Sequence, residues 1–392
     1  RYFSAFANLA YTFNDRYSIS GSFRIDASNF ITDDPAYRYS PFWSVGTSWN
    51  MMNEEFMESI EVIDQLKPRI TFGCNGNSDS STSLIPLIGM NGYNQTTGEL
   101  EAEIYSKGNP TLRWERTNTL NFGIDYSFFC SKLYGKIDYY YKHGKDILAD
   151  VAIPIVNGAE SALINNAEIT NHGIEFQIGS RLNITNDLIW DSNIVFSYNK
   201  NKVKKLLVTS MPYWWLSGEG TGQQYIEGKP INSLYSYIYG GMKNMGTADS
   251  PKILPVVNLI GDEYMPFDGS TNYDGLDFLK YQGTKVAPYD IGMTHTFSYK
   301  GIDLSFTFTG KFGHVFRRTG FNYPGRGNIP NAQLSEIIGA DPNEVVPMPY
   351  QDTDNLSYWN KANYLSYLTT NAFSIRMQEL TLSYSLPIKY IH

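Results

Sequence analysis

Cysteine is nearly absent: Cys74 and Cys130 are the only two in 392 residues. Two thiols are too few for a disulfide framework, and their spacing is not that of a metal site. Both are expected to be packing residues of strand-like segments. Charge is scarce as well, at 18% of the chain against about 25% in an average soluble protein. The formal net charge is −8, and the densest basic patch is only Lys202, Lys204 and Lys205, so nucleic acid is not an expected partner. No apolar run reaches the ~18 residues of a membrane-spanning helix. The five His stand at 143, 172, 295, 314 and 392, no two at ligand spacing, and no metal site is expected from them.

What the chain has in excess is aromatic residues, 15% in all, with 30 Tyr. It also has alternation. In Gly301 to Phe312, Ile302, Leu304, Phe306 and Phe308 share one parity, while Asp303, Ser305, Thr307, Thr309 and Lys311 share the other. A strand points successive side chains to opposite faces, so this segment has one apolar and one polar face.

The same pattern recurs along the chain. Phe3 to Phe13 and Tyr17 to Ile25 form a predicted hairpin around Asn14-Asp15-Arg16. Trp43, Val45, Thr47, Trp49 and Met51 share a face, and an acidic stretch from Asn53 to Asp64 is predicted to form a short helix. Strands are predicted at 66–73, 119–129, 133–142, on both sides of Asn186-Asp187, at 234–242, around Lys300-Gly301, and at 373–386. Residues 84–111, 206–290 and 317–370 are predicted to be long excursions.

About twelve strands result, joined alternately by tight turns and long loops. A membrane barrel sorts its connections this way, whereas a sandwich has no reason to. Several strands approach the ~9–11 residues of a tilted membrane crossing. A parity rich in Asp, Glu, Lys, Asn and Gln suits a wet bore better than a dry core. The expected fold is therefore all-β, an antiparallel transmembrane β-barrel, with residues 1–392 forming part of one barrel domain. Both ends of the sequence interrupt strand-like patterns, so the chain is expected to be part of a longer polypeptide.

An ordered series of motifs carries a resemblance. It runs from Arg24-Ile25-Asp26-Ala27-Ser28 through Tyr39-Ser40-Pro41-Phe42-Trp43 and Glu54-Glu55-Phe56 to Leu66-Lys67 with Asn75-Gly76-Asn77. Asn109-Pro110-Thr111-Leu112-Arg113-Trp114-Glu115, Lys145-Asp146-Ile147-Leu148, Asn171-His172-Gly173-Ile174-Glu175, Gly228-Lys229-Pro230-Ile231 and Gln378-Glu379-Leu380 continue it. In this order they resemble the SusC-like family of TonB-dependent outer-membrane transporters. That resemblance implies a 22-stranded, plugged barrel, of which this chain would supply roughly half, without the plug, the N-terminal energy-coupling motif or the last strands. It implies location among the lipids of a Gram-negative outer membrane. It further implies active import of an oligosaccharide or oligopeptide, energised through TonB, under a SusD-like surface lipoprotein lid, with transporter–lipoprotein units paired as dimers. The family's Asp/Gly-rich turn is replaced here by a stretch from Asp268 to Gly275.

Candidate sites are few. Tyr213-Trp214-Trp215 is the one suggestive cluster: Trp214 and Trp215 can stack on sugar rings as substrate-binding residues, or anchor a membrane interface. Asp268, Asn272 and Asp274 lack the last acid of a calcium loop and read as a solvated turn. Gly220-Thr221-Gly222 is an incomplete dinucleotide fingerprint, and no Ser sits in a G-x-S-x-G elbow. No catalytic constellation and no cofactor are expected. A passive outer-membrane channel, a surface adhesin or a soluble glycan-binding β-protein are the readings that compete with import.

Overall fold

The computed structural model describes residues 2–28, 39–78, 84–157, 161–209, 213–218, 225–251, 253–258, 264–265, 279–318 and 362–386. Eleven strands make one antiparallel sheet. In chain order they begin with β1 (Tyr2–Phe13), β2 (Tyr17–Ser28), β3 (Tyr39–Trp49) and β4 (Ile63–Asn77). The hairpin β5 (Leu87–Tyr93) and β6 (Leu100–Ser106) stands outside the sheet. The sheet resumes with β7 (Glu115–Phe128), β8 (Leu133–Ala152), β9 (Ser161–Asn183) and β10 (Leu188–Leu206). Five short strands follow in the longest excursion: β11 (Ser233–Tyr237), β12 (Tyr239–Asn244), β13 (Ile253–Asn258), β14 (Tyr264–Met265) and β15 (Leu279–Thr284). β16 (Tyr289–Tyr299), β17 (Ile302–Arg317) and β18 (Thr369–Tyr384) complete the sheet. It is an open wall, with β1 and β18 as its edges.

Its strands run from 11 to 23 residues, enough for a tilted crossing. No helix among the described residues is long and apolar enough to cross a membrane. Connections sort onto two rims. Turns 14–16, 129–132, 184–187 and 300–301 lie on one, together with 50–62. On the other rim the ends of β2, β4, β8, β10 and β17 lie beside the starts of β3, β7, β9, β16 and β18, the strands they pair with next in the sheet.

Register shows how the alternation becomes two faces. Across β16, β17 and β18 the apolar rows run Phe297–Leu304–Leu382, His295–Phe306–Leu380 and Met293–Phe308–Met377. The polar rows between them hold Thr294 beside Thr307 (hydroxyls 3.1 Å apart), Thr296 beside Ser305 (3.0 Å) and Lys311 beside Asp290 (3.3 Å). Leu304 is 39% exposed, with no layer packed behind it among the described residues, as expected of a wall whose apolar face looks outward.

Two β-bulges correct the phase. On β18 the apolar residues change parity, from Phe373, Ile375 and Met377 to Leu380, Leu382 and Tyr384. The register shifts there, leaving Gln378 unpaired, so both sets stay on the outer face. On β17 the extra residue is Gly313, whose φ of +80° suits glycine.

Several expectations need correction. The acidic stretch after β3 is helical only over the three-residue 3-10 helix Glu55–Met57, preceded by a second one, Met51–Asn53. The predicted strand 234–242 breaks at Ile238 into β11 and β12, which belong to small sheets outside the wall. The excursion 84–111 contains a hairpin of its own. Cys74 is buried, but Cys130 is exposed in a turn where Phe129, Cys130 and Ser131 all have φ near +60°. Asp64 holds that turn by accepting the Cys130 and Ser131 N–H groups at 3.2 and 2.8 Å.

Candidate functional site

Two features can act on a solute: the polar face of the wall and the loops fastened along its long-loop rim. On the polar face, Arg69 of β4 donates to Asp138 of β8 at 2.6 Å and approaches Asp125 of β7 at 3.4 Å. Tyr140 donates to Asn199 at 3.1 Å, and Gln177 to Asn193 at 3.0 Å. These cross-strand bonds join β4, β7 and β8, β8 and β10, and β9 and β10 on the polar face. The arrangement suits weak, repeated hydrogen bonding to a polar solute.

The loops are held by latches, and the motifs of the sequence are those latches. Asn109 accepts the Thr111 N–H at 3.0 Å and donates to the Leu163 carbonyl at 3.1 Å. Leu112 and Trp114 are buried, the latter edge-on to Phe42 at 5.6 Å. Arg113 pairs with Asp146 at 2.5 Å, and Glu115 accepts the Leu148 N–H at 2.9 Å. Asn165 closes the assembly: it accepts from the Arg113 N–H at 3.1 Å and donates to the carbonyls of Arg113 and Asp146 at 2.9 and 2.6 Å. The segment before β7 is thereby tied to the ends of β8 and β9.

A second latch ties 225–231 alongside β10. Gly228 donates to the Val203 carbonyl at 2.8 Å, Val203 to the Lys229 carbonyl at 2.9 Å, and Ile231 to Asn201 Oδ1 at 2.8 Å. Tyr225 and Ile231 then pack on Ala167, Ile169, Val203 and Leu206. The apolar residues are the anchor, and the backbone bonds extend the sheet beyond the point where β16 ends.

The third latch is Arg317, at the end of β17. It donates to the carbonyls of Ser217 and Tyr235 at 2.9 and 2.5 Å and lies 4.9 Å from the Tyr364 ring centroid. Near it, Leu216, Tyr235, Tyr237, Leu254, Leu279 and Leu365 belong to the largest buried cluster among the described residues. Burial pushes the Tyr235 hydroxyl up to about 12, so it stays protonated. The loops on this rim therefore carry a small folded core of their own.

Trp214 and Trp215 lie in the single helical turn Tyr213–Ser217, against β11 and β15. Trp214 is 36% exposed, whereas Trp215 is 6% exposed and meets it edge-on at 5.8 Å. Of the two tryptophans, Trp214 is the one with a free surface to offer a ligand. Asp268, Asn272, Asp274 and Gly220-Thr221-Gly222 lie outside the described residues. Among the described residues no three His, Cys, Asp or Glu side chains come together as a metal site. Sequence reasoning did not single out Asn165 or Arg317; the one available signal was the adjacent pair Asn165-Asn166 between apolar residues, both of which are buried.

Comparisons agree with this geometry. The sequence model of the TonB dependent receptor-like β-barrel family matches residues 1–238, more than half of the chain. TonB-dependent receptor P26 of Formosa agariphila is 28% identical over 98% of this chain and 39% of its own length. SusC of Bacteroides thetaiotaomicron is 26% identical over 97% of this chain and 37% of its own. The chain thus spans about two fifths of the length of the curated relatives it matches. Among solved structures the RagAB peptide transporter superposes with a TM-score of 0.73 at 21% identity, over 99% of this chain and 42% of that one. The chain therefore belongs to the TonB-dependent receptor-like β-barrel family and is an outer-membrane protein of the SusC-like kind.

Proposed function

We propose that residues 1–392 are part of one barrel domain of an importer that carries a large polar nutrient, an oligosaccharide or oligopeptide, across the outer membrane. Energy comes from TonB acting on a plug contributed by other residues of the protein. A SusD-like lipoprotein closes over the long-loop rim, and the transporter–lipoprotein units pair as dimers. The observation that carries this reading is the combination of a hydrogen-bonding bore face with long loops latched to one rim only. The names of the relatives support it: SusC and other TonB-dependent receptors on one side, a peptide transporter on the other. No bond is broken in this function; the chemistry is binding and release.

Trp214 is the proposed stacking contact for the solute, with Trp215 as the buried brace behind it. Growth of a strain lacking the protein on a panel of polysaccharides and peptides tests the reading. Loss of growth on one class identifies the nutrient. Unimpaired growth on every class, or uptake unchanged when the lid lipoprotein is deleted, contradicts it in favour of a stand-alone channel.

A further inference from the structure

The patch Lys202, Lys204 and Lys205, with Lys200 beside it, has a definite place in the wall. On β10 the inward side chains are known from their partners: Asn199 is held by Tyr140, and Val203 and Leu206 pack under the latched loop. The alternate residues, Trp190, Ile194, Phe196 and Tyr198, therefore face outward, and so do Lys200 and Lys202. Lys204 is the extra residue of a bulge between Val203 and Lys205. That bulge returns Lys205 to the outer face, opposite Glu168.

The outer face changes character along one row. Tyr139, Ile174, Tyr198 and Tyr289 are aligned across four strands. The next outward row is Tyr141–His172–Lys200, and after it His143–Thr170–Lys202. From Trp190 to Tyr198 the apolar stretch of β10 matches the ~9 residues of a crossing, and the tyrosine row is placed where an aromatic girdle belongs. The lysines begin immediately beyond it, on the long-loop side. Two acids adjoin the patch: Glu168, shared between His143 at 3.1 Å and Lys204 at 4.0 Å, and Glu227, whose carboxylate accepts the Leu206 N–H at 2.7 Å. No carboxylate among the described residues forms an ion pair with Lys200, Lys202 or Lys205, although Glu168 stands across from Lys205, and all three lysines are exposed.

We propose that this patch binds the phosphate groups of the outer-leaflet lipid. The ammonium groups sit at headgroup height on stems long enough to reach them, and the tyrosine row beneath takes the start of the acyl region. Concentrating cations at this one place in a chain of net charge −8 gives the wall a fixed lipid contact on β8–β10.

The test is native mass spectrometry of the full-length receptor in mild detergent, titrated with phosphorylated lipid A, with the same lipid stripped of its phosphates, and with inorganic phosphate. Phosphorylated lipid A is expected to be retained, and the Lys200→Ser/Lys202→Ser/Lys205→Ser variant to weaken retention by on the order of tenfold or more. Lys132→Ser with Lys300→Ser, on the opposite rim, is expected to leave it unchanged. Unaltered heat-modifiability of each variant on gels shows that the barrel has formed. Equal retention by the triple variant, equal retention of the stripped lipid, or inorganic phosphate binding as tightly as the lipid overturns the proposal.

Discussion

Arg69 reaches Asp138 across the strand that separates them, because Gly123 lies between. Its Nη2 is 2.6 Å from Asp138 Oδ1. A Cβ at position 123 would stand 2.6 Å from the Arg69 Cζ and 2.7 Å from the Asp138 carboxylate. Both groups are largely shielded on the bore side, at 28% and 10% side-chain exposure, so parting them leaves a carboxylate poorly compensated. Gly123→Ala is expected to destabilise the barrel by about 1–3 kcal/mol. Gly292→Ala, on the same face with nothing within 4 Å of its would-be Cβ, is expected to change stability by less than about 0.5 kcal/mol. Denaturant unfolding in detergent, followed by tryptophan fluorescence, checks the pair.

The bulge on β18 gives a second prediction. Deleting Gln378 forces either Phe373, Ile375 and Met377 or Leu380, Leu382 and Tyr384 onto the bore face. A one-residue slip reverses every side chain beyond it, so the deletion is expected to prevent folding. Gln378→Ser keeps the extra residue and is expected to cost no more than about 0.5 kcal/mol. Heat-modifiability on gels separates the two outcomes.

Asn165 makes three bonds to backbone groups of the first latch. Asn165→Ala leaves them without that partner, at about 1–3 kcal/mol for a part-buried group. The loss is local, so limited proteolysis within 78–114 is expected to accelerate while heat-modifiability of the barrel stays unchanged. Equal cleavage rates for wild type and variant contradict the latch.

Glu54, on the short-turn rim, accepts from Tyr17 at 2.6 Å, from Trp49 at 2.9 Å and from Arg16 at 3.2 Å. These hydrogen bonds, with the Arg16 charge adding to them, hold its carboxyl below the ordinary glutamate value. A depressed folded-state value stabilises at all pH above the unfolded value and ceases to do so as pH falls through the folded one. Segment 50–62 is expected to gain hydrogen-exchange protection as pH rises out of the acid range, after correction for intrinsic rates. Glu54→Gln is expected to lose that pH dependence.

Much of the wall was legible in the residues. Alternation in 302–312 and 120–128 reports a two-faced strand directly, and Asn14-Asp15-Arg16 and Lys300-Gly301 report their turns. The bulge at Gln378 was present as a change of parity between Met377 and Leu380, but parity alone does not say which strand absorbs the extra residue. The loop sheets were less legible. Ser233–Tyr237 is buried on both sides, so it lacks the alternation that marks a wall strand, and its partner lies some forty residues away. Arg317 reads as a solvated charge until the carbonyls of Ser217 and Tyr235 are brought to it. Trp214 and Trp215 are indistinguishable in sequence, yet one is exposed and its neighbour is packed.

Which face meets lipid is tested most directly by site-directed labelling in intact outer membranes. In full-length protein with Cys74 and Cys130 replaced, single cysteines at Asp303, Leu304, Phe308 and Lys311 are challenged with a membrane-impermeant maleimide. A fluorophore attached at each site in proteoliposomes is challenged with brominated lipid. Asp303→Cys and Lys311→Cys are expected to react with the maleimide and resist quenching. Leu304→Cys and Phe308→Cys are expected to be quenched by the lipid and to be poorly labelled by the maleimide. Quenching at positions 303 and 311, with maleimide labelling at 304 and 308, would contradict it.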